Sequence, residues 1–357
     1  MTSNFLRATL IALLTAAATA SAQTAPTTAP EFLYATGLGS EVYGYRVAPN
    51  GALTPVPGIA FGTQGGYPLA LGATSDGKFL YVAESASNLI EGFAISPRGR
   101  LRSLGAIPSG TNPSSVALTP SGKFLYVGNE AYNISAYKVH TQSGAISEIP
   151  GSPFPSGYSS FQLIVDPTGR FLFAGSFDNV WAFSIDQATG ALTLIDTVAA
   201  GSSETWIAMD KTAKFLYAAS NASTGDFYGF GINSTTGSLT LLPGFPFYTG
   251  VSQREAASVV QNGFIYIAQN YNGGEVAGYT SDPTTGALTP VPGSPFTAGQ
   301  TALAVAIDPS GRFVYTADYY AESLIGFAVN QSTGALTPLS GSESIYAPWA
   351  LITVTQE

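Results

Sequence analysis

Apolar residues in this chain come in short runs broken by turn residues, and the runs recur. The motif Phe-[Leu/Ile/Val]-[Tyr/Phe] begins at Phe32, Phe79, Phe124, Phe171, Phe215, Phe264 and Phe313, at steps of 47, 45, 47, 44, 49 and 49 residues. A second aromatic follows each leading Phe by 12 to 15 residues, at Tyr45, Phe93, Tyr137, Phe183, Phe230, Tyr279 and Phe327. A turn glycine comes next in every copy: Gly51, Gly99, Gly144, Gly190, Gly237, Gly286 and Gly334. Seven copies of about 45 residues, each with four short apolar runs, predict radial repetition of four-stranded sheets.

Within a copy the side chains grow along the chain. The first strand, such as the one from Ala302 to Asp308, is small and rich in Ala, whereas the second and third carry the aromatics. Small residues suit the crowded axis of a ring, and bulky ones fill the space where blades fan apart. The pattern predicts an all-β, seven-bladed β-propeller over residues 32–357. Its N-terminus enters at a second strand, and Pro348 to Val354 aligns with the first strands. The C-terminal strand is therefore expected to complete the N-terminal blade and close the ring, leaving no open edge.

Composition adds three constraints. Hydrophobic residues are 45% and charged residues 10%, with 40 Gly and 23 Pro, which suits turn-rich β structure. Arg7, an apolar stretch from Ala8 to Ala18 and the small residues Ala20-Ser21-Ala22 read as a signal peptide over 1–22, followed by a loose linker over 23–31. Export to the periplasm or the extracellular space is the expectation, with no membrane insertion after cleavage. There is no Cys, so no disulfide, thiol nucleophile or thiolate metal site is available. Without the leader, 12 basic residues face 22 acidic ones, a balance that repels nucleic acid. A monomer is expected.

Candidate chemistry lies where copies depart from the repeat. The loops after the second strand and those entering the first should share one mouth of the central channel. The first set contributes Glu84, Glu130, Asp178, Gln269, Asp318 and Tyr319. The second contributes Glu204-Thr205-Trp206 and Gln253-Arg254-Glu255, the strongest departures. Carboxylates, amides and aromatic faces together suit a small polar, sugar-like ligand or an envelope component. Arg254, Glu255 and Glu204 are the candidate catalytic groups, with Arg254 able to orient an acidic or carbonyl-bearing substrate. Glu84 with Glu130 is a candidate acid–base pair. His140, the only histidine, precedes the Gly144 turn and is placed on the far side from the mouth. A histidine-based triad or zinc site is thus not expected. No cofactor motif is present, and no acidic spacing supports a Ca²⁺ site.

The blocks Asp308-Pro309-Ser310-Gly311-Arg312-Phe313-Val314-Tyr315, Asp166-Pro167-Thr168-Gly169-Arg170-Phe171-Leu172-Phe173 and Thr119-Pro120-Ser121-Gly122-Lys123-Phe124-Leu125-Tyr126, with the Thr-Gly-Ala-Leu-Thr turns, carry a resemblance. They resemble the seven-bladed propeller lactonase family, which includes 6-phosphogluconolactonase and the muconate-lactonizing enzymes. The resemblance runs from about 32 to 355. It implies the propeller fold and, for lactonase-like members, a His at the mouth with acidic and Arg partners. The matching positions are Leu69, Ser114, Phe161, Thr205, Arg254, Leu303 and Trp349, none of them His. Two readings follow: a binding or scaffold propeller with a ligand at the mouth, and alternatively a lactonase-type hydrolase using mouth carboxylates and Arg254.

Overall fold

A computed structural model describes residues 29–221, 225–248, 258–261, 263–269 and 273–357. The leader and most of the linker lie outside the described residues. Among the described residues every regular element is a β-strand, and the strands group into seven antiparallel blades around a ring. Blade 1 runs, from rim to axis, Leu53–Gly62, Glu41–Val47, Glu31–Gly37 and Pro348–Thr355. Its innermost strand is the C-terminal one, with Phe32 opposite Val354 and Tyr34 opposite Ile352. Blades 2 and 7 repeat this four-strand pattern, as Pro68–Ala73 to Leu101–Pro108 and Ala302–Ile307 to Leu336–Ser344. Blades 3, 5 and 6 split the outer strand in two. Blades 4 and 5 share one continuous 18-residue strand, Leu192–Met209, which is outermost in blade 4 and innermost in blade 5.

The core lies between blades. Among the described residues there are seven apolar clusters, and each joins two neighbouring blades; the one between blades 7 and 1 holds Leu33, Tyr45, Phe313 and Tyr315. This explains why the second strand reads as an unbroken apolar run. In a strand, successive side chains face opposite ways. Phe32 and Tyr34 pack toward blade 2, whereas Leu33 and Ala35 pack toward blade 7.

The repeat motif proves to be an inter-blade latch. In six blades the Tyr of Phe-x-Tyr donates its hydroxyl to the carbonyl of the turn glycine in the next blade. The pairs are Tyr34 with Gly99, Tyr81 with Gly144, Tyr126 with Gly190, Tyr217 with Gly286, Tyr266 with Gly334 and Tyr315 with Gly51, at 2.8–2.9 Å. The leading Phe lies under the same glycine: a Cβ on Gly190 would stand 2.4 Å from the Phe124 ring. Gly190 also has φ +79°, a conformation that favours glycine. The turn before five of the leading Phe residues is fixed as well, by Asp166, Asp210 and Asp308 or by Thr74 and Thr119, whose side chains accept the Phe backbone N–H. Blade 4 alone has Phe173 at the Tyr position and so lacks the hydroxyl.

Three outcomes follow for stability, each measurable by chemical denaturation. Tyr126→Phe should cost about 1–2 kcal/mol, the loss of a buried hydrogen bond and its stranded carbonyl. Phe173→Tyr should gain about 1 kcal/mol by supplying the missing donor to Gly237. Truncation after Ala347 removes the strand that pairs with Glu31–Gly37 and should abolish cooperative unfolding.

Candidate functional site

A cavity of about 270 Å³ opens at one end of the channel. Its wall is built from first strands, and β-bulges decide which side chains reach it. In blade 2 Pro68 pairs with Glu84 and Ala70 with Ala83, leaving Leu69 unpaired. In blade 3 Ser114 is the extra residue, and in blade 7 it is Leu303. In blade 1 Trp349 and Ala350 both lie in the irregular step between Leu351 and Pro348. A bulge bends the strand and re-aims its extra side chain, and Leu69, Ser114, Leu303 and Trp349 all line the cavity.

Blade 5 differs because the strand Leu192–Met209 runs on without a bulge there, with Thr205 opposite Ser220 and Trp206 opposite Ala219. Thr205 is consequently buried, its hydroxyl donated to Ala200 O at 3.1 Å. Glu204 and Trp206 take the wall position instead. Phe161 completes the aromatic side, its ring centroid 6.0 Å from that of Trp206. Leu71, Val116, Leu163 and Leu351 add apolar wall.

The polar groups are few and held in place. Glu204 accepts a hydrogen bond from Asn221 Nδ2 at 2.9 Å, and Glu130 accepts one from Asn112 Nδ2 at 3.0 Å. Gln162 Oε1 accepts from Ile207 N at 2.8 Å, and Ser114 Oγ donates to Ser160 O at 2.9 Å. No Lys, Arg or His is among the residues described as lining the cavity. The described Lys and Arg residues all sit at the opposite end of the ring, in the turns flanking each leading Phe or at strand ends beside them, as Lys138 is opposite Phe124. His140 is there too, in the turn closed by Gly144 N to His140 O. No group of three or more His, Cys, Asp or Glu able to hold a metal occurs among the described residues.

The structure brings together Glu130, Glu204 and Trp206, and sets Tyr319 behind Trp349 with ring centroids 6.1 Å apart. Arg254 and Glu255 lie outside the described residues. Glu84, Gln269 and Asp318 occupy the last position of their second strands and are buried beneath the mouth loops. Asp318 accepts from the backbone N–H groups of Gln300, Thr301 and Ala321 at 2.5, 3.0 and 3.1 Å, so it braces two loops. Asp178 sits at φ +65° at the irregular step near the start of the strand Phe177–Ile185, and it is not among the residues lining the cavity. Four wall residues carried no polar signal in the sequence: Leu69, Phe161, Leu303 and Trp349 were visible only as the aligned positions ten residues before the leading Phe. Gln162 gave no signal at all.

The carboxylate beside Glu84 is Glu91, not Glu130. Both are fully buried; Glu91 accepts from Gln64 N at 2.8 Å and from Ser103 Oγ. Burial, reinforced by the adjacent Glu91, pushes Glu84 up to about 8. A carboxyl whose folded value lies above its unfolded one binds its proton more tightly in the native state. Its stabilising contribution is complete below the unfolded value and is lost as pH rises through about 8. The melting temperature of the wild type should therefore fall between pH 5 and 9, and Glu84→Gln should flatten that fall. Equal slopes in the two proteins would contradict the assignment.

Comparison with known proteins agrees with this architecture. Residues 38–161 and 171–291, more than half of the chain, match the family described as lactonase, 7-bladed beta-propeller. Among curated proteins no sequence matches. A candidate 6-phosphogluconolactonase from Bacteroides fragilis shares 19% identity at a TM-score of 0.75, over 92% of this chain and 99% of that one. A second, from Bacteroides uniformis, shares 18% at 0.76, over 92% and 100%. The periplasmic gluconolactonase of Pseudomonas aeruginosa shares 19% at 0.73, over 92% and 99%. Identities this low show the fold alone, but the family match covers sequence and architecture together: the chain belongs to the lactonase family of seven-bladed β-propellers.

Proposed function

We propose that this protein is an exported propeller that binds a small neutral polyhydroxylated ring, a sugar or sugar lactone, in the mouth cavity. The observation that carries the reading is the cavity wall itself. Trp206, Phe161 and Trp349 offer aromatic faces for C–H groups, and Glu130, Glu204, Ser114 and Gln162 offer hydrogen-bonding groups for hydroxyls. A phosphoryl group carries nearly two negative charges near neutral pH. Two carboxylates on the wall and the described cations at the opposite end disfavour it. The unphosphorylated ligand in the name of the Pseudomonas aeruginosa relative is consistent with this preference. The signal-like N-terminus and the periplasmic location in that relative's name support export.

Family membership and the two wall carboxylates favour turnover as a second reading. In this reading Glu204, half-buried and hydrogen-bonded by Asn221, would take a proton from water. The water oxygen would add to the lactone carbonyl carbon, the ring C–O bond would break, and the departing ring oxygen would take the proton back from Glu204. The product is the open hydroxy acid. In this reading Arg254 remains the candidate for stabilising the oxyanion.

Calorimetric titration with glucose, gluconate, glucono-lactone and 6-phosphogluconate tests the first reading. The neutral ligands should bind more tightly than the two acids, and Trp206→Ala should weaken them about tenfold. Preference for 6-phosphogluconate would overturn it. Acid release from glucono-lactone in a pH-stat tests the second: turnover above buffer should fall at least roughly 100-fold in Glu204→Gln. A rate no higher than buffer would exclude hydrolysis of that lactone.

A further inference from the structure

We propose that the mouth face flanking the cavity, where blade 3 meets blade 4 and where blade 7 meets blade 1, is a platform for an extended neutral glycan whose terminal unit enters the cavity. The inference rests on the sugar-binding reading above and extends it from one ring to a chain. Among the described residues the large exposed aromatic side chains are all at the mouth end of the molecule. Tyr132, Tyr158 and Tyr320 are 57%, 50% and 71% exposed, and Tyr67, Phe177, Tyr248 and Tyr346 also stand in mouth-side loops or the strand ends next to them. Among the described residues the opposite end exposes no large aromatic and carries the Lys and Arg residues instead.

Three of these rings, Tyr132, Tyr158 and Tyr320, belong to two clusters that continue the cavity wall. Tyr132 and Tyr158 meet edge to face with centroids 5.9 Å apart, and Ser159 Oγ donates to the backbone carbonyl of Glu130, a wall residue. Tyr320 packs on Tyr319 at 5.1 Å, and Tyr319 on the wall residue Trp349 at 6.1 Å. The first cluster sits where blade 3 meets blade 4 and the second where blade 7 meets blade 1. They therefore flank the cavity from nearly opposite sides of the ring. Rigid aromatic faces on both sides of a polar cavity suit a chain of sugar rings, each with an apolar C–H face and a hydroxylated edge.

Backbone conformation supports the same reading. Tyr67 and Tyr132 have φ of 55° and 61°, where a bulky residue is costly and Gly or Asn is cheap. The sister positions before Pro113 and before Leu89 are Asn112 and Asn88, with φ 49° and 57°. The turns accept Asn, so the backbone does not require a tyrosine at either place. Charge selects the polymer class. Among the described residues the mouth charges include Glu130 and Glu204 on the wall and Glu322 at the rim, which repel acidic polysaccharide and nucleic acid but accept hydrogen bonds from neutral hydroxyls.

Titration of the full folded protein with β-1,4-, β-1,3- and α-1,4-linked gluco-oligosaccharides of one to six units tests the proposal. In at least one series affinity should rise roughly tenfold or more between one and four units and then level off. Tyr132→Ala/Tyr158→Ala and Tyr320→Ala should each remove much of that gain while leaving monosaccharide affinity unchanged. Polyuronic acid should not compete. Equal affinity for one and six units, or a length gain that survives both aromatic variants, would overturn the platform and leave the single-ring cavity standing. Trp206→Ala should weaken the longer oligosaccharides as well as the monosaccharide; length-dependent binding that this variant leaves unchanged would overturn the cavity as the anchor of the chain. Binding of none of these oligosaccharides would overturn the platform and leave the aromatic face to a protein partner.

Discussion

The structure depends on a contact between the Phe-x-Tyr strand of one blade and the turn glycine of the next. The Phe ring occupies the space a Cβ would need, and the Tyr hydroxyl satisfies the glycine carbonyl. Two motifs more than sixty residues apart in the chain thus form one joint, |i−j| being 63 to 69 in five of the six hydrogen-bonded cases. The sixth, Tyr315 to Gly51, spans 264 residues because it closes the ring. A four-stranded blade alone cannot bury both faces of its second strand. The joint sets the spacing at which seven blades bury one another's faces.

This dependence explains what could be read from the chain. The recurring Phe, Tyr and Gly are the joint, so their periodicity exposes the number of blades, the strand order and the closing role of Pro348 to Thr355. The joint also explains why the glycines recur: they are needed for positive φ and for lack of a side chain under a neighbour's ring. The continuous strand through Gly201 was not legible, because Gly201-Ser202-Ser203 has the residues of an ordinary turn.

The cavity was legible only in part, because its geometry is set by register. Aligning copies by residue count treats position as direction. Leu69, Ser114, Leu303 and Trp349 reach the channel because a bulge shifts the face they present. Where the bulge is missing, the same count lands on the buried Thr205, and its neighbours Glu204 and Trp206 carry the wall. The polar residues ending the second strands pose the opposite problem. Glu84, Gln269 and Asp318 look like mouth chemistry in a loop-rich region, yet they lie beneath the loops, and Asp318 shows what such a residue does: it accepts the N–H groups of a loop that has no strand to pair with.

The polarity of the two ends follows from the same division between repeat and exception. Lys78, Lys123, Arg170, Lys214 and Arg312 each precede a leading Phe, so the basic end is written into the repeat. Arg170 and Arg312 lie over the rings of Phe171 and Phe313 at 5.1 and 5.0 Å, and both reach backbone carbonyls of the adjacent blade, Ser234 and Pro49. These cations serve the joint. The mouth has no such duty, since its loops enter and leave the strands without contributing to the Phe–Gly contact. Its carboxylates and exposed tyrosines are not required by closure, and a large exposed ring carries a cost in solubility. A ring-shaped fold that fixes one end by repetition leaves the other end free to vary. The residues found at that free end are therefore the ones that the repeat itself does not account for.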